Sequence, residues 1–130
     1  MTKPVRIQRK RTKGYNMQEH SRSINGLPAI SVCRPGKYGN WLIPRKSEKQ
    51  HIVDEIVYEW WVFNRLTGEN GCLCDTKETA IKECVDLFRI HANSVIRAEN
   101  IRQLRNHNLA CFCKEGDPCH GDVLLELAND

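Results

Sequence analysis

The sequence predicts a mixed α/β fold, with α+β layers: a single small domain over residues 1–130, its central sheet of about four to five strands flanked by three helices. Size is the first observation behind this, since 130 residues with 40% apolar content suit one compact core and leave no room for two independent ones. The second is that short β-branched runs alternate with stretches of helical spacing. The third is the glycine and proline punctuation between them.

Taken in order, Val5 to Lys10 alternates as a first or edge strand, and Lys13-Gly-Tyr-Asn16 follows as a turn. Residues 18–28 are polar and read as loop. Ala29-Ile-Ser-Val-Cys33 is a compact β-branched strand, ended by Arg34-Pro-Gly-Lys-Tyr-Gly-Asn40, whose proline and glycines shape a basic loop. The aromatic and β-branched run Ile52 to Asn64 favours a strand over at least Val57 to Phe63. Its Trp60 and Trp61 read as core rather than as base-stacking platforms. Thr67 to Gly71 looks like a hairpin connection into Cys72-Leu-Cys74, after which Asp75 or Thr76 caps a helix carrying Ala80, Ile81, Cys84, Val85, Leu87 and Phe88 at helical spacing. A shorter helix is expected from Ala98 to Asn106, then a strand from Leu109 to Cys113, and a terminal helix opening at Cys119, His120 and Asp122.

Charge is unevenly shared. Residues 1–50 carry 12 Lys/Arg against 2 Asp/Glu and residues 51–130 carry 8 against 14, giving +10 and −6 and the net +4 of the whole. A basic half points to an anionic ligand bound mainly by the N-terminal half. Nucleic acid is the rival partner for the same charges, but no recognised nucleic-acid motif is present and the pI of about 8.7 falls short of strongly basic. The first residues lack an apolar signal core and no window is long enough to span a bilayer, so a soluble, cytoplasmic protein without membrane contact is expected. Seven cysteines, an odd number, then argue for reduced thiols rather than disulfides. Oligomeric state is not specified, although the Val5 to Lys10 edge permits a homodimer by strand addition.

Three groups of residues carry chemistry. Cys72, Cys74, Cys111, Cys113, Cys119 and His120 are competent zinc donors, yet neither Cys-x-Cys pair has the usual knuckle spacing, so no metal ligand and no cofactor is assigned and the cysteines are read as packed or site-lining. The second group is the helix start Asp117-Pro-Cys-His-Gly-Asp122. There the positive end of the helix dipole would lower a thiol's pKa and free N–H groups would receive an anion. Arg6, Arg9, Lys10, Arg11 and Lys13, with Arg34 and Lys37 in the glycine-containing loop, form the third. Two such loops flanking the terminal helix would make an anion pocket, its guanidinium forks suited to phosphate.

Ile7-Gln-Arg-Lys-Arg-Thr-Lys-Gly14, Arg34-Pro-Gly-Lys-Tyr-Gly-Asn40, Leu109-Ala-Cys-Phe-Cys113 and Cys119-His-Gly-Asp-Val-Leu-Leu-Glu126 resemble, in order, the motifs of domain-of-unknown-function family 4326, common in phages and bacteria. The tail also resembles family 488, although Gly121 stands where that family has an arginine. The family's usual Gly-Asn-Pro is replaced here by Gly39-Asn-Trp41. Family positions fall on Arg9, Arg11, Gly14, Arg34, Pro35, Gly39, Asn40, Cys111, Cys113, Cys119, His120 and Asp122. The resemblance implies no agreed activity. Joined with the charges, it suggests a site for a nucleotide or nucleotide-derived phosphorylated molecule, gripped by Arg9, Arg11, Arg34, Lys37 and Asn40 against Cys111, Cys119, His120 and Asp122. By analogy, a phage-encoded copy would sequester a defence signal in the host cytoplasm. The alternatives are a Cys/His enzyme, with Cys119 or Cys111 as nucleophile and His120 as general acid/base on a nucleotide-like substrate, and a zinc-stabilised interaction module or nucleic-acid binder.

Overall fold

A computed structural model describes residues 2–34 and 36–130. Among these, ten elements follow one another: β1 (Arg6–Gln8), α1 (Met17–Asn25), β2 (Ala29–Ser31), β3 (Leu42–Val53), β4 (Ile56–Asn64), β5 (Glu69–Cys74), α2 (Lys77–Val95), α3 (Ala98–Gln103), β6 (Asn108–Cys111) and α4 (His120–Asn129). The class is mixed α/β as expected. The strands are shared between two sheets of three rather than gathered into one, and the helices number four among the described residues. The chain's contacts divide it into two compact units, Met1–Gly39 with Ala92–Asp130, and Asn40–His91.

In the first unit the sheet order is β1-β6-β2, with both outer strands parallel to β6. The centre falls to β6 because Leu109-Ala-Cys is apolar without interruption, as a strand covered on both faces must be, and all four of its residues are buried. Ile7, Ala29 and Ala110 pack as one cluster with Val5 and Met17 against it. Residues 18–28, read as loop, contain α1. Its sequence is nearly all polar, so no apolar stripe announces it. It forms because Asn16 caps its start by accepting from the Glu19 N–H, and Gly26 ends it in the left-handed region at φ 81°. Polar bonds hold it down: the Gln18 amide brackets Ala29, and Ser21 donates to the Leu27 carbonyl at 2.6 Å.

The second unit is an antiparallel meander, β3-β4-β5. The twelve residues of β3 were not anticipated before Ile52, since Arg45 to Gln50 is a run of charged and polar side chains, half-buried at most. Trp41 stacks on Phe88 with ring centroids 5.1 Å apart, and Leu42, Val62, Cys74, Ala80 and Cys84 are buried in this unit. Trp60 and Trp61 are half-buried rather than core, and the ammonium groups of Lys46 and Lys77 lie over the Trp60 ring.

The β3–β4 hairpin turns on Asp54 and Glu55, both at positive φ, 49° and 68°, as a two-residue type I′ connection requires. Aspartate tolerates that conformation, whereas the longer Glu55 takes it with strain. Glu55→Gly should therefore raise stability by about 0.5–1 kcal/mol, read as an increase in melting temperature; an unchanged or lower value would show that the turn carries no strain.

Candidate functional site

Because β1, β6 and β2 run parallel, their carboxyl ends share one edge. The register pairs Gln8 with Cys111 and Ser31 with Ala110. In such sheets ligand sites form outside the carboxyl ends of the strands. The segments that leave this edge contain Arg9 and Arg11 after β1, Cys33 and Arg34 after β2, and Phe112 and Cys113 after β6. The ladder extends one residue past two of these ends: the Arg9 N–H donates to the Cys111 carbonyl at 2.8 Å, and the Val32 N–H to that of Ala110 at 3.0 Å.

Three thiols and an imidazole crowd together behind this edge. Cys111 Sγ donates to Cys113 Sγ at 3.6 Å, and Cys119 Sγ lies 3.9 Å from Nδ1 of His120. Cys111, Cys119 and His120 are buried, with their donor atoms all within 4.8 Å of one another. Cys113 is half-buried because the strand ends at Cys111, two residues earlier than the sequence suggested. Cys119 is the N-cap of α4, its sulfur accepting the Gly121 N–H at 3.4 Å. The ring's other nitrogen, Nε2, is 2.6 Å from the Val32 carbonyl. A carbonyl only accepts, so Nε2 carries the proton and the Nδ1 lone pair faces the thiols.

Electrostatics split the thiols. The Cys113 thiol is pushed down to about 3, chiefly by the hydrogen bonds from Cys111 and Cys119, against its burial and with help from the Arg6 and Arg34 cations. Cys119 is driven up by the same neighbours, Cys111 first, and by burial. Cys113 and Cys119 titrate as a pair in which Cys113 holds the charge and Cys119 the proton. Burial lowers His120, opposed by its bond to Val32.

Arg6, counted among the basic residues of the first strand but not among those expected to grip the ligand, is the organising cation. Its Nε meets Asp122 Oδ1 at 3.0 Å, and its Nη groups donate to the carbonyls of Cys113, Lys114 and Asp117 at 3.1, 3.2 and 3.3 Å. It passes over Gly121, where a Cβ would meet Arg6 Cδ at 3.1 Å. Burial works against its charge, while the Asp122 carboxylate reinforces it. Alternation along β1 places Ile7 inward and Arg6 on the opposite face; a strand-borne arginine one position before a core residue was the available signal.

The expected ligand residues divide. Arg9 and Arg11 converge on the Phe112 ring, their guanidinium carbons 4.9 and 3.8 Å from its centroid, and Arg9 also donates to Ser31 Oγ at 3.1 Å. Arg9 Nε is buried with no hydrogen-bond partner among the described residues. Arg34 is exposed, yet its charge reaches both Cys113 and His120. Gly39 fits it closely, since a Cβ there would lie 2.8 Å from Arg34 Cα. Lys37 is exposed and lies 3.5 Å from Asn100 Oδ1. Pro35 lies outside the described residues.

Two of the expected ligand residues are engaged by the protein itself. Asn40 is buried in the second unit, its amide donating to the Cys84 carbonyl at 3.1 Å and accepting the Leu42 N–H at 2.9 Å, so both its polar ends serve the backbone there. Asp122 is held by Arg6, and the Gly121 and Asp122 N–H groups at the start of α4 bond to Cys119. Elsewhere in the first unit, a groove of about 360 Å³ is lined by Lys3, Pro4, Asp122, Leu125, Glu126, Asn129 and Asp130. Its three carboxylates make it a poor anion site. In the second unit, Arg45, Lys46, Ser47, Glu48, Lys49, His51, Trp61 and Asn70 line one of about 400 Å³, and Lys46 there is paired with Glu59 at 2.9 Å.

Among the described residues no helix is long and apolar enough to cross a membrane. A family model described as Domain of unknown function (DUF4326) matches residues 7–130. The likeness of the tail to family 488 is not shown by the comparisons. No curated protein and no solved structure matches the chain.

Proposed function

We propose, from the premise that the chain belongs to the DUF4326 family over nearly its whole length, that it binds a phosphorylated small molecule of the nucleotide class at the carboxyl edge of its parallel sheet. The observation that carries this reading is the gathering of Arg9, Arg11 and Arg34 on segments leaving the ends of three parallel strands. The exposed guanidinium groups of Arg11 and Arg34 offer a phosphate paired, in-plane donors, with the half-buried Arg9 beside them. Phe112, already in contact with two of them, adds a ring against which a base can lie.

Binding without turnover is favoured by the state of the proposed catalytic pair. Cys119 is buried and keeps its proton, and His120 is buried with Nε2 committed to Val32. Neither is presented to a substrate as nucleophile or as general acid/base. Sequestering a nucleotide-derived signal is one use of such a protein.

Calorimetric titration at low salt with inorganic phosphate and a panel of mononucleotides, dinucleotides and cyclic nucleotides tests the reading. A nucleotide should bind and be recovered intact. Arg34→Ala should weaken binding about tenfold or more, the effect of one charged hydrogen-bonding group. Gly39→Ala, which displaces the Arg34 backbone, should weaken it in the same direction. If no nucleotide binds, or if Arg34→Ala and Arg11→Ala bind as the parent does, the proposal fails.

A further inference from the structure

We infer that Cys111, Cys119 and Nδ1 of His120, with Cys113 completing the set, bind a zinc(II) ion. The inference goes beyond anion binding and uses side chains other than the guanidinium groups that carry that reading.

Geometry supports it first. A tetrahedral ion with Zn–S of about 2.3 Å places its sulfur ligands about 3.8 Å apart and a nitrogen ligand about 3.6 Å from sulfur. Here the Cys111 and Cys113 sulfurs are 3.6 Å apart, and Cys119 Sγ is 3.9 Å from His120 Nδ1. The Cys111, Cys119 and His120 donors come from a strand end and a helix start, and all fit within 4.8 Å of one another. Hydrogen-bonded thiols have similar spacings, so distance does not decide by itself.

The surroundings decide. A ligating histidine characteristically donates its second ring N–H to a backbone carbonyl or carboxylate, which fixes the tautomer and aims the other nitrogen at the metal. The bond from His120 Nε2 to the buried Val32 carbonyl does this, and Nδ1 is left facing sulfur. The backbone supports the thiols as well, through the Gly121 N–H on Cys119 Sγ. Three thiolates and one dication leave one negative charge. Arg6 and Arg34 stand near enough to act on this cluster and oppose that charge. As each S–Zn bond forms, any proton still held by that sulfur leaves to solvent, so neither an oxidant nor a reductant is needed.

The absence of a Cys-x2-Cys knuckle is no obstacle. Cys111 and Cys113 are brought within sulfur contact because the strand ends at Cys111 and the chain bends after it. Cys119 and His120 are adjacent, yet both reach the centre because Cys119 is the extended N-cap and His120 the first helical residue.

The full chain, purified under reducing conditions, should contain about one zinc per chain. The apo protein titrated with cobalt(II) should give the thiolate-to-cobalt charge-transfer band and the intense visible bands of a tetrahedral site, saturating at one equivalent. Cys119→Ser and His120→Ala should abolish stoichiometric binding, Cys113→Ser should alter the visible bands, and Cys72→Ser should leave stoichiometry unchanged. Should Cys119→Ser fail to fold, the cobalt spectrum of Cys113→Ser and of the unsubstituted chain still decides. A folded apo protein that gives no charge-transfer band overturns the inference, as does a spectrum indifferent to Cys113→Ser and His120→Ala.

Discussion

Arg6→Ala lowers the stability of the protein by about 2–3 kcal/mol, seen as a reduced urea midpoint with an unchanged slope. The side chain is 8% exposed and ties one strand of the parallel sheet to a loop more than a hundred residues away in sequence. Its partner Asp122 is 49% exposed, so solvent screening limits the ion pair to about 1 kcal/mol. The larger share comes from three backbone carbonyls, of Cys113, Lys114 and Asp117, that take their donors from this one guanidinium. Removing it leaves the Cys113 carbonyl, the least exposed of these contacts, without that donor. Arg6→Lys recovers less than half of the loss, because a point ammonium cannot span four acceptors fanned around a planar fork. Asp122→Asn costs no more than about 1 kcal/mol. If Arg6→Ala unfolds within 0.5 kcal/mol of the parent, or Asp122→Asn costs as much as Arg6→Ala, the loop is not held in this way.

The parallel sheet was legible wherever burial leaves a chemical trace. Leu109-Ala-Cys has the unbroken apolar character of a strand with two covered faces, and the β-branched run at Ala29-Ile is its parallel neighbour. The start of α4 was legible within one residue, since a proline followed by a polar cap has few other uses. What escaped was structure made by polar groups and structure lying at the surface. The helix α1 has only two apolar side chains, Met17 and Ile24, too few to make a stripe. β3 hides under Arg45-Lys-Ser-Glu-Lys49, because an exposed ladder asks little of its side chains. The division of strands between two sheets depends on pairings between distant segments, which composition does not encode. Asn40 shows the same limit at the candidate site: polar residues in glycine-rich loops look alike whether they meet a ligand or, as here, a neighbouring backbone. Arg6 is the converse case. It was counted among basic residues of the first strand, but its distinction lies in what a loop near position 115 presents to it.

Asn108→Leu should be as damaging as the loss of a large core side chain, about 3 kcal/mol, although it exchanges a polar residue for an apolar one of similar size at a fully buried position. The Asn108 amide is the hub that fastens α1 to the sheet. Its oxygen accepts the Val5 N–H at 3.0 Å and the Asn25 amide at 2.9 Å, while its nitrogen donates to Ser21 Oγ at 2.8 Å and to Asn25 Oδ1 at 2.7 Å. Ser21 is itself fully buried, with its hydroxyl committed to the Leu27 carbonyl. A leucine leaves the Val5 N–H and both ends of the Asn25 amide short of partners at once, and unmet buried groups cost more than the bonds themselves contribute. Asn108→Asp is worse still at neutral pH, because the new carboxylate oxygen would face Asn25 Oδ1 where an N–H now points. Ser21→Ala should cost about 1 kcal/mol alone, and less when added to Asn108→Leu, since the two share a bond; the shortfall is their coupling energy in a double-mutant cycle. Strict additivity of the two substitutions, or an Asn108→Leu protein as stable as its parent, would mean that the polar contacts merely tolerate α1. Its place would then have to come from the packing of Met17 on the Ile7, Ala29 and Ala110 cluster.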